Sequence, residues 1–289
     1  MIKKYILCIL AVLITITNSS YAFPADSKPM SKRATLVPTS VTFKISSEVG
    51  TSNTTKISVD DVNNLNAVGK LDIVKNDGSN DCCTASVIRT DNGNIAITAA
   101  HCLFDFNTQT WNSEVYFYPG YNHGQQGNIG KVAAKSGYIY DIFKDNPALS
   151  DYAFIKLDYP EGRKLQDDTG AFDYDLDIPG DIYPVNVFGY PVDGDMNCPK
   201  DGQNLCDYEG LSYDMPNEVP IKSYRGITID VGHCSSGGPW VRIYDPNTNS
   251  GNVMGVSQGI LDLPYPDETV AWSWTRDEFT QILNFAETN

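Results

Sequence analysis

From Val68 onward, the chain alternates between short apolar runs and turn residues rich in Gly, Asn and Pro. Runs of this length and pattern are typical of β-strands that bury one or both faces. We predict such strands at Lys70–Lys75, Thr84–Arg89, Ile95–Thr98, Glu114–Tyr118, Ala153–Leu157, Pro184–Phe188, Ile227–Asp230, Trp240–Tyr244 and Val253–Ser257. The stretch Asp91–Asn94 (DNGN) indicates a hairpin turn between the second and third of them. Many short strands with such turns favour an all-β sandwich or barrel over βαβ units.

One helix is predicted, at the C-terminus. The stretch Thr275–Glu278 (TRDE) has the form of a capping box, in which the threonine oxygen accepts an early helix N–H and the glutamate reaches back. After it, apolar residues recur at helical spacing on one face: Phe279, Ile282, Leu283 and Ala286. The pattern therefore predicts a helix over 275–287 that docks on the β-structure.

The chain of 289 residues is long enough to bury two compact cores. The Asp- and Gly-rich stretch Tyr159–Gly180 is the predicted linker between them.

Residues 23–60 are rich in Ser, Thr, Lys and Asp, and we interpret them as a pro-segment or a loosely packed N-terminal arm. The dibasic pair Lys32-Arg33 is consistent with a processing site and equally with two surface cations. The sequon at Asn53–Thr55 requires only an exposed site in a glycosylating host.

The N-terminus has the form of a secretory signal peptide, residues 1–22. Lys3 and Lys4 precede an apolar run, Tyr5–Ile16, and Ser20-Tyr21-Ala22 supplies the small residues that a signal peptidase reads. The apolar run is several residues short of the roughly 20 needed to span a bilayer. We therefore expect a secreted, extracellular protein without a membrane anchor.

Cysteine usage agrees with export. Of the seven cysteines, Cys8 would leave with the signal peptide, and an even number would remain. Six cysteines in an exported chain indicate disulfides, although they allow 15 pairings. Cys198 and Cys206 bracket a short polar loop and could pair locally. A zinc site is the rival interpretation, but no pair of close-spaced ligands faces another such pair, and we predict no metal.

The formal net charge is −15, and loss of Lys3 and Lys4 with the signal peptide makes it −17. So acidic a surface repels nucleic acid and anionic membranes and favours basic or neutral partners. Charge thus excludes nucleic-acid binding and membrane-surface binding from the functions that we expect.

Three short strings each present a side chain that suits one role in nucleophilic catalysis. His101 lies in the TAAHC string of Thr98–Cys102, Asp151 begins the DYAFIKL string, and Ser236 lies in the SSGGP string of Ser235–Pro239. A serine hydroxyl is a poor nucleophile until an imidazole takes its proton, and a carboxylate must hold that imidazole in the correct tautomer. Ser235 is the alternative nucleophile, but the SGGP register selects Ser236.

The strings, in the order His, Asp, Ser, resemble those of trypsin/chymotrypsin-like serine proteases over about Val68–Glu287. The resemblance implies two antiparallel β-barrels (about 65–160 and 175–274) and a C-terminal helix, within a protease domain of 61–289. It implies a secreted serine endopeptidase that works through an acyl-enzyme: Ser236 attacks, His101 is the general base and Asp151 orients it. The backbone N–H groups of Cys234 and Ser236 would form the oxyanion hole. It implies no cofactor, protein or peptide substrates, protein inhibitors as partners, and a monomer.

The resemblance extends to specificity and disulfides. The segment Gly255–Gly259 (GVSQG), with Ser257, Gln258 and Gly259, resembles the strand that pairs with substrate backbone. Asp230 falls where trypsins hold the acidic floor of the primary specificity pocket, which would favour basic residues; a loop carboxylate outside the pocket is an equal alternative. The family's bridge at the histidine loop favours Cys83 with Cys102, which leaves Cys82 with Cys234.

Two departures separate this chain from animal trypsins. Cys234 stands where the family has a glycine in the oxyanion hole, and Ser235 stands where trypsins have the aspartate that pairs with a newly cut N-terminus. Together with the run Ala67–Leu71, the second departure resembles the glutamyl-endopeptidase-like branch of bacteria and fungi. Val256 occupies the place of a histidine in glutamate-specific relatives, which argues against glutamate specificity.

Two alternative functions follow from the same residues. A catalytically inactive protease homologue that acts as a binding module is one, because Cys234 could disable the oxyanion hole. An α/β-hydrolase esterase is the other. Along the chain of that fold the catalytic residues come in the order Ser, Asp, His, and the serine lies on a Gly-x-Ser-x-Gly elbow. Here His101 comes first, so this alternative is rejected.

Overall fold

The computed structural model describes residues 37–44, 65–176, 178, 180, 182–215, 224–260 and 267–289. The predicted signal peptide, the Lys32-Arg33 pair and the Asn53 sequon lie outside these residues. None of the described helices is both long and apolar enough to cross a membrane.

The first half of the chain forms a β-sheet that closes on itself. The sheet order is β1-β8-β7-β2-β3-β4-β9, and a further pairing of β8 with β9 closes a barrel of six strands, with β1 added outside. A short hairpin, β5 and β6, follows the histidine turn. The bounds are β1 Pro38–Thr42, β2 Val68–Val74, β3 Asn80–Val87, β4 Ile95–Thr98, β5 Phe104–Asp105, β6 Thr110–Trp111, β7 Glu114–Pro119, β8 Val132–Tyr140 and β9 Ala153–Leu157.

The second half forms an eight-stranded sheet in the order β10-β15-β14-β11-β12-β13-β17-β16, antiparallel except for the β10–β15 pair. Its strands are β10 Asp173–Tyr174, β11 Tyr183–Gly189, β12 Cys206–Asp214, β13 Tyr224–Ile227, β14 Pro239–Asp245, β15 Ser250–Val256, β16 Gly259–Ile260 and β17 Thr269–Trp272. The helices are α1 Asp141–Asp145, α2 Leu165–Thr169 and α3 Arg276–Thr288. The prediction of an all-β fold with a C-terminal helix is confirmed.

Apolar side chains of each half fill a separate core, and a third cluster lies between the sheets and under α3. Strands β4 and β9 are buried at nearly every position, because both of their faces are covered. Helix α3 begins with the predicted capping box: the Glu278 N–H donates to Thr275 Oγ1, and the Thr275 N–H donates to Glu278 Oε2 at 2.8 Å. Phe279 then packs edge-to-face on Phe154 of the first barrel, with ring centroids 5.1 Å apart.

The described part of residues 23–60 differs from the predicted loosely packed arm. Strand β1 pairs along its whole length with β8, and Phe43, which is 5 % exposed, belongs to the core of the first barrel. The sequence signal is weak here because a strand at the edge of a sheet is held mainly by backbone hydrogen bonds and one buried side chain. Strand β1 therefore adds to the first sheet from a position before residue 65, where the first barrel was predicted to begin.

The run Ile227–Asp230 is also not a strand. The strand β13 ends at Ile227, and a bend follows, in which Asp230 Oδ1 accepts a hydrogen bond from the Gly232 N–H at 2.8 Å. The chain turns because the short aspartate side chain satisfies a nearby backbone donor in place of a ladder partner. This bend points residues 230–233 toward the cavity described below.

Three disulfides join the six cysteines that remain after residue 22. They are Cys82–Cys234, Cys83–Cys102 and Cys198–Cys206, the pairings suggested above. Two of these bridges start from adjacent residues of β3. One reaches the turn that carries His101, and the other reaches the loop that carries Ser236.

Candidate active site

His101 lies in a single 3₁₀ turn, Ala100–Cys102, which directly follows β4. Ala99 and Ala100 are fully buried, so small side chains are needed for the turn to pack against the barrel. The Cys83–Cys102 disulfide fixes the end of the turn to β3. About a third of the imidazole (34 %) remains exposed, which leaves one edge of the ring accessible.

Asp151 reaches His101 because β9 pairs with β4, with Ala153 opposite Thr98. Its Oδ2 lies 2.8 Å from His101 Nδ1, and its Oδ1 accepts the His101 backbone N–H at 3.0 Å. The carboxylate is nearly buried, at 6 % exposure. Two hydrogen bonds to the same residue fix the ring orientation and place the proton on Nδ1, so that Nε2 is free to accept a proton.

The electrostatic surroundings favour the protonated ring. Burial opposes the charged imidazolium, but the charge of Asp151 and its hydrogen bond outweigh burial, and Asp81 adds to them. The pKa of His101 is therefore raised above its ordinary value of 6.5. A base whose conjugate acid is stabilised in place is suited to take a proton from a weak acid such as a hydroxyl.

Ser236 lies in a loop that the first barrel holds through β3. The Thr84 N–H donates to the Ser236 carbonyl at 2.8 Å, and Cys102 Sγ lies 3.7 Å from the same oxygen. Gly237, at φ +79°, lies so close to β4 that a β-carbon there would collide with Thr98 Oγ1 and the Thr84 carbonyl. The loop with Ser236 thus lies beside the turn with His101. No hydrogen bond joins the Ser236 hydroxyl to His101 in the described part of the chain.

The backbone around Ser236 leaves two N–H groups free. Within the described residues, neither the Cys234 N–H nor the Ser236 N–H donates a hydrogen bond, whereas the Gly237 N–H donates to the Ser257 carbonyl at 2.7 Å. Cys234 is fully buried and has a φ of +68°, in the left-handed region that favours glycine. Its backbone therefore adopts a glycine-like conformation despite the side chain.

A cavity of about 360 Å³ opens beside Ser236. The sequence-predicted residues Asp230, Ser257, Gln258 and Gly259 line it. The charged side chains of the described lining are two carboxylates, Asp193 and Asp230, and no Lys or Arg lies among them. Oxygen Oδ1 of each carboxylate accepts a backbone N–H from the bend after β13, at 2.6 Å for Asp193 and 2.8 Å for Asp230.

Of the lining residues that were not predicted from the sequence, two have side chains that can carry a charge. Asp193 comes from the loop after β11 and accepts the His233 N–H. His233 is 56 % exposed at the side chain, and its Nε2 lies 3.2 Å from Asp81 Oδ1. Asp193 is distant in sequence from Ser236, so no local motif marks it. His233 is only three residues from Ser236, and that proximity was a usable signal.

Comparisons with known proteins rest on structure alone. No family model matches the chain, and no curated protein matches it by sequence. Among solved structures, the protease Anisep from Arthrobacter nicotinovorans aligns with a TM-score of 0.67 at 23 % identity, over 78 % of this chain and 98 % of that one. A Glu endopeptidase aligns with a TM-score of 0.59 at 17 % identity, over 81 % of this chain and 96 % of that one.

The chain has the fold of chymotrypsin-like serine proteases. This fold also occurs in a scabies mite inactivated protease paralogue, which aligns with a TM-score of 0.56 at 15 % identity, over 79 % of this chain and 97 % of that one. The chymotrypsin-like fold therefore carries both working and inactivated sites, and activity must be argued from the residues of the site.

Proposed function

We propose that this protein is a secreted serine endopeptidase with Ser236, His101 and Asp151 as its catalytic triad. The observation that carries the proposal is the pair of hydrogen bonds that the Asp151 carboxylate accepts from His101, at a turn that lies beside the Ser236 loop. A carboxylate, an imidazole and a serine in this arrangement are the parts that acyl transfer needs. The extracellular location rests on the N-terminal signal and the disulfides.

In the proposed mechanism, His101 Nε2 takes the proton of the Ser236 hydroxyl as its oxygen attacks the scissile carbonyl. Asp151 holds the ring and stabilises the imidazolium, while the N–H groups of Cys234 and Ser236 stabilise the developing oxyanion. His101 then gives the proton to the leaving amine, and an acyl-enzyme remains on Ser236. Water, deprotonated by His101, hydrolyses this ester and regenerates the serine. No step requires a cofactor.

The proposed partners are protein or peptide substrates and protein inhibitors, bound by a monomer. A substrate in extended conformation would pair with Ser257–Gly259 as an added strand, with its side chain at the cleaved bond in the cavity.

To test the activity, we would incubate the processed protein with an unfolded protein and identify new termini by mass spectrometry. Cleavage that is absent with Ser236→Ala supports the proposal, and equal cleavage by the variant contradicts it.

We expect substrates with Arg or Lys at the cleaved bond to be preferred, because the described lining of the cavity presents Asp193 and Asp230 and no Lys or Arg. Asp230→Ser should lower kcat/KM for an Arg peptide on the order of 10²- to 10³-fold, since a bound cation would lose its partner. Activity on a matched Leu peptide should fall much less. Peptides with Arg or Lys that are cleaved no better than those with Leu or Glu would contradict this specificity.

The second candidate function is an inactive homologue that serves as a binding module. The observation in its favour is Cys234, a residue with a side chain at an oxyanion-hole position of a fold that is known in an inactivated form. This candidate predicts substrate-like binding without turnover. It also predicts no reaction of Ser236 with a mechanism-based probe.

A further inference from the structure

The loop around Ser236 has its carbonyl groups bound and two of its N–H groups free. Thr84 Oγ1 donates to the Cys234 carbonyl at 2.8 Å, the Thr84 N–H donates to the Ser236 carbonyl at 2.8 Å, and the Gly238 N–H donates to the Ser235 carbonyl at 2.9 Å. The three peptide units that follow residues 234–236 are therefore fixed from their carbonyl side. The Cys234 N–H belongs to the His233–Cys234 peptide, whose carbonyl accepts the Val192 N–H at 3.0 Å. Its orientation therefore depends on this hydrogen bond and on the φ angle of Cys234.

That angle is one that a residue with a β-carbon does not adopt without constraint. At φ +68°, the β-carbon of Cys234 crowds the backbone in a way that glycine avoids. Relaxation to a negative φ, with the Cys234 carbonyl held by Thr84, would rotate the peptide between His233 and Cys234 and break its hydrogen bond with the Val192 N–H. The Cys234 N–H would then turn away from the face that it shares with the Ser236 N–H.

The Cys234 side chain is itself anchored. Its sulfur is bonded to Cys82, which lies two residues before Thr84 on the same strand β3. The side chain and the carbonyl of Cys234 are thus both attached to β3, and the residue is fully buried. Since β3 also holds the His101 turn through Cys83–Cys102, one strand sets the relative position of the base and of the oxyanion donors.

We infer that the Cys82–Cys234 disulfide is a positioning device for the oxyanion hole, in which the bridge supplies the backbone conformation that a glycine would adopt without help. Cys82 is therefore a positioning residue that acts through Cys234, and it need not touch the substrate. The inference rests on the proposed serine protease function. It resolves the conflict between a cysteine at this position and a working oxyanion hole.

The test compares two double variants that both lack the bridge. Cys82→Ala/Cys234→Ala keeps a β-carbon at position 234, whereas Cys82→Ala/Cys234→Gly restores free access to positive φ. We expect the alanine variant to lose kcat on the order of 10²-fold with little change in KM, as for loss of one oxyanion donor. The glycine variant should recover most of that loss. A merely structural bridge would impair both variants alike.

Cys198→Ala/Cys206→Ala is the matched control for loss of a disulfide and should show no comparable fall in kcat. If the alanine variant does not accumulate as folded protein, limited reduction of the wild type, mapped by thiol alkylation, replaces it. Activity should then fall in proportion to free Cys82 and return on reoxidation. Equal kcat for the wild type and both double variants, or full activity with Cys82 and Cys234 reduced, would overturn the inference.

The proposed function and this inference fail in different ways. A fluorophosphonate probe that leaves the folded, processed wild type unlabelled overturns the proposed function, and the inference falls with it. A wild type that is labelled, with double variants labelled at the same rate, overturns only the role of the bridge.

Discussion

The His101→Ala variant is expected to hydrolyse peptides about 10⁶-fold more slowly than the wild type, because removal of the base leaves the Ser236 hydroxyl protonated. The loss should appear in kcat, since the imidazole acts on the reacting proton and does not line the substrate cavity. Steady-state kinetics on a peptide with a chromogenic leaving group measures it. Circular dichroism of the variant shows whether the fold is kept.

His123→Ala is the matched control for this variant. His123 lies in an exposed loop, where its Nδ1 is 2.7 Å from Asn204 Oδ1, away from the candidate site. Its replacement should leave kcat/KM unchanged. Retention of more than about a tenth of the wild-type kcat by His101→Ala would mean that another group is the base, and the triad assignment would be wrong.

Asp151→Asn is expected to lower kcat about 10⁴-fold while keeping the geometry, because an amide stabilises the wrong tautomer of the ring. It should also change the pH profile. In the wild type, His101 must be neutral to act as a base, so activity is lost as the pH falls through its pKa, which is raised above 6.5. The acid limb of kcat/KM therefore lies above pH 6.5.

Without the Asp151 charge, burial remains and opposes the imidazolium, so the acid limb of Asp151→Asn should move to lower pH. Asp141→Asn serves as the control, since Asp141 pairs with Lys144 at the surface. It should change neither kcat nor the acid limb. An Asp151→Asn variant with the wild-type acid limb would show that His101 is not the group that titrates.

Short-range signals predicted much of the fold. Strands β4 and β9 were predicted to the residue because each is a short apolar run between turn residues, and the α3 start was marked by its capping box. Strand β8 was missed, since its apolar pattern is interrupted by Lys135, Ser136 and Gly137. Strand β12 was missed because its pattern does not follow burial: Leu211 is exposed, whereas Ser212 is buried. Both strands are defined by their long-range pairing rather than by local pattern.

A residue of the candidate site could be predicted where its neighbours in sequence form a recognisable motif. His101, Asp151 and Ser236 each lie in a recognisable string, and Asp230 has a fixed spacing from Ser236. Asp193 was missed because it reaches the cavity only through the folding of the loop after β11 against the bend at 230–233. The resemblance placed Cys234 where the family has a glycine, but its φ angle could not be derived from the sequence, since that angle depends on the anchoring of the loop to β3.

The most direct test of the central claim is labelling of the processed protein with a fluorophosphonate probe, followed by mass spectrometry of the labelled peptide. We predict a single adduct on Ser236, lost in Ser236→Ala and strongly reduced in His101→Ala, because only an activated serine reacts with such a probe. A folded wild type that remains unlabelled, or an adduct on Ser235 or elsewhere, would contradict the proposed triad. The unlabelled result would leave the binding module as the better account of this chain.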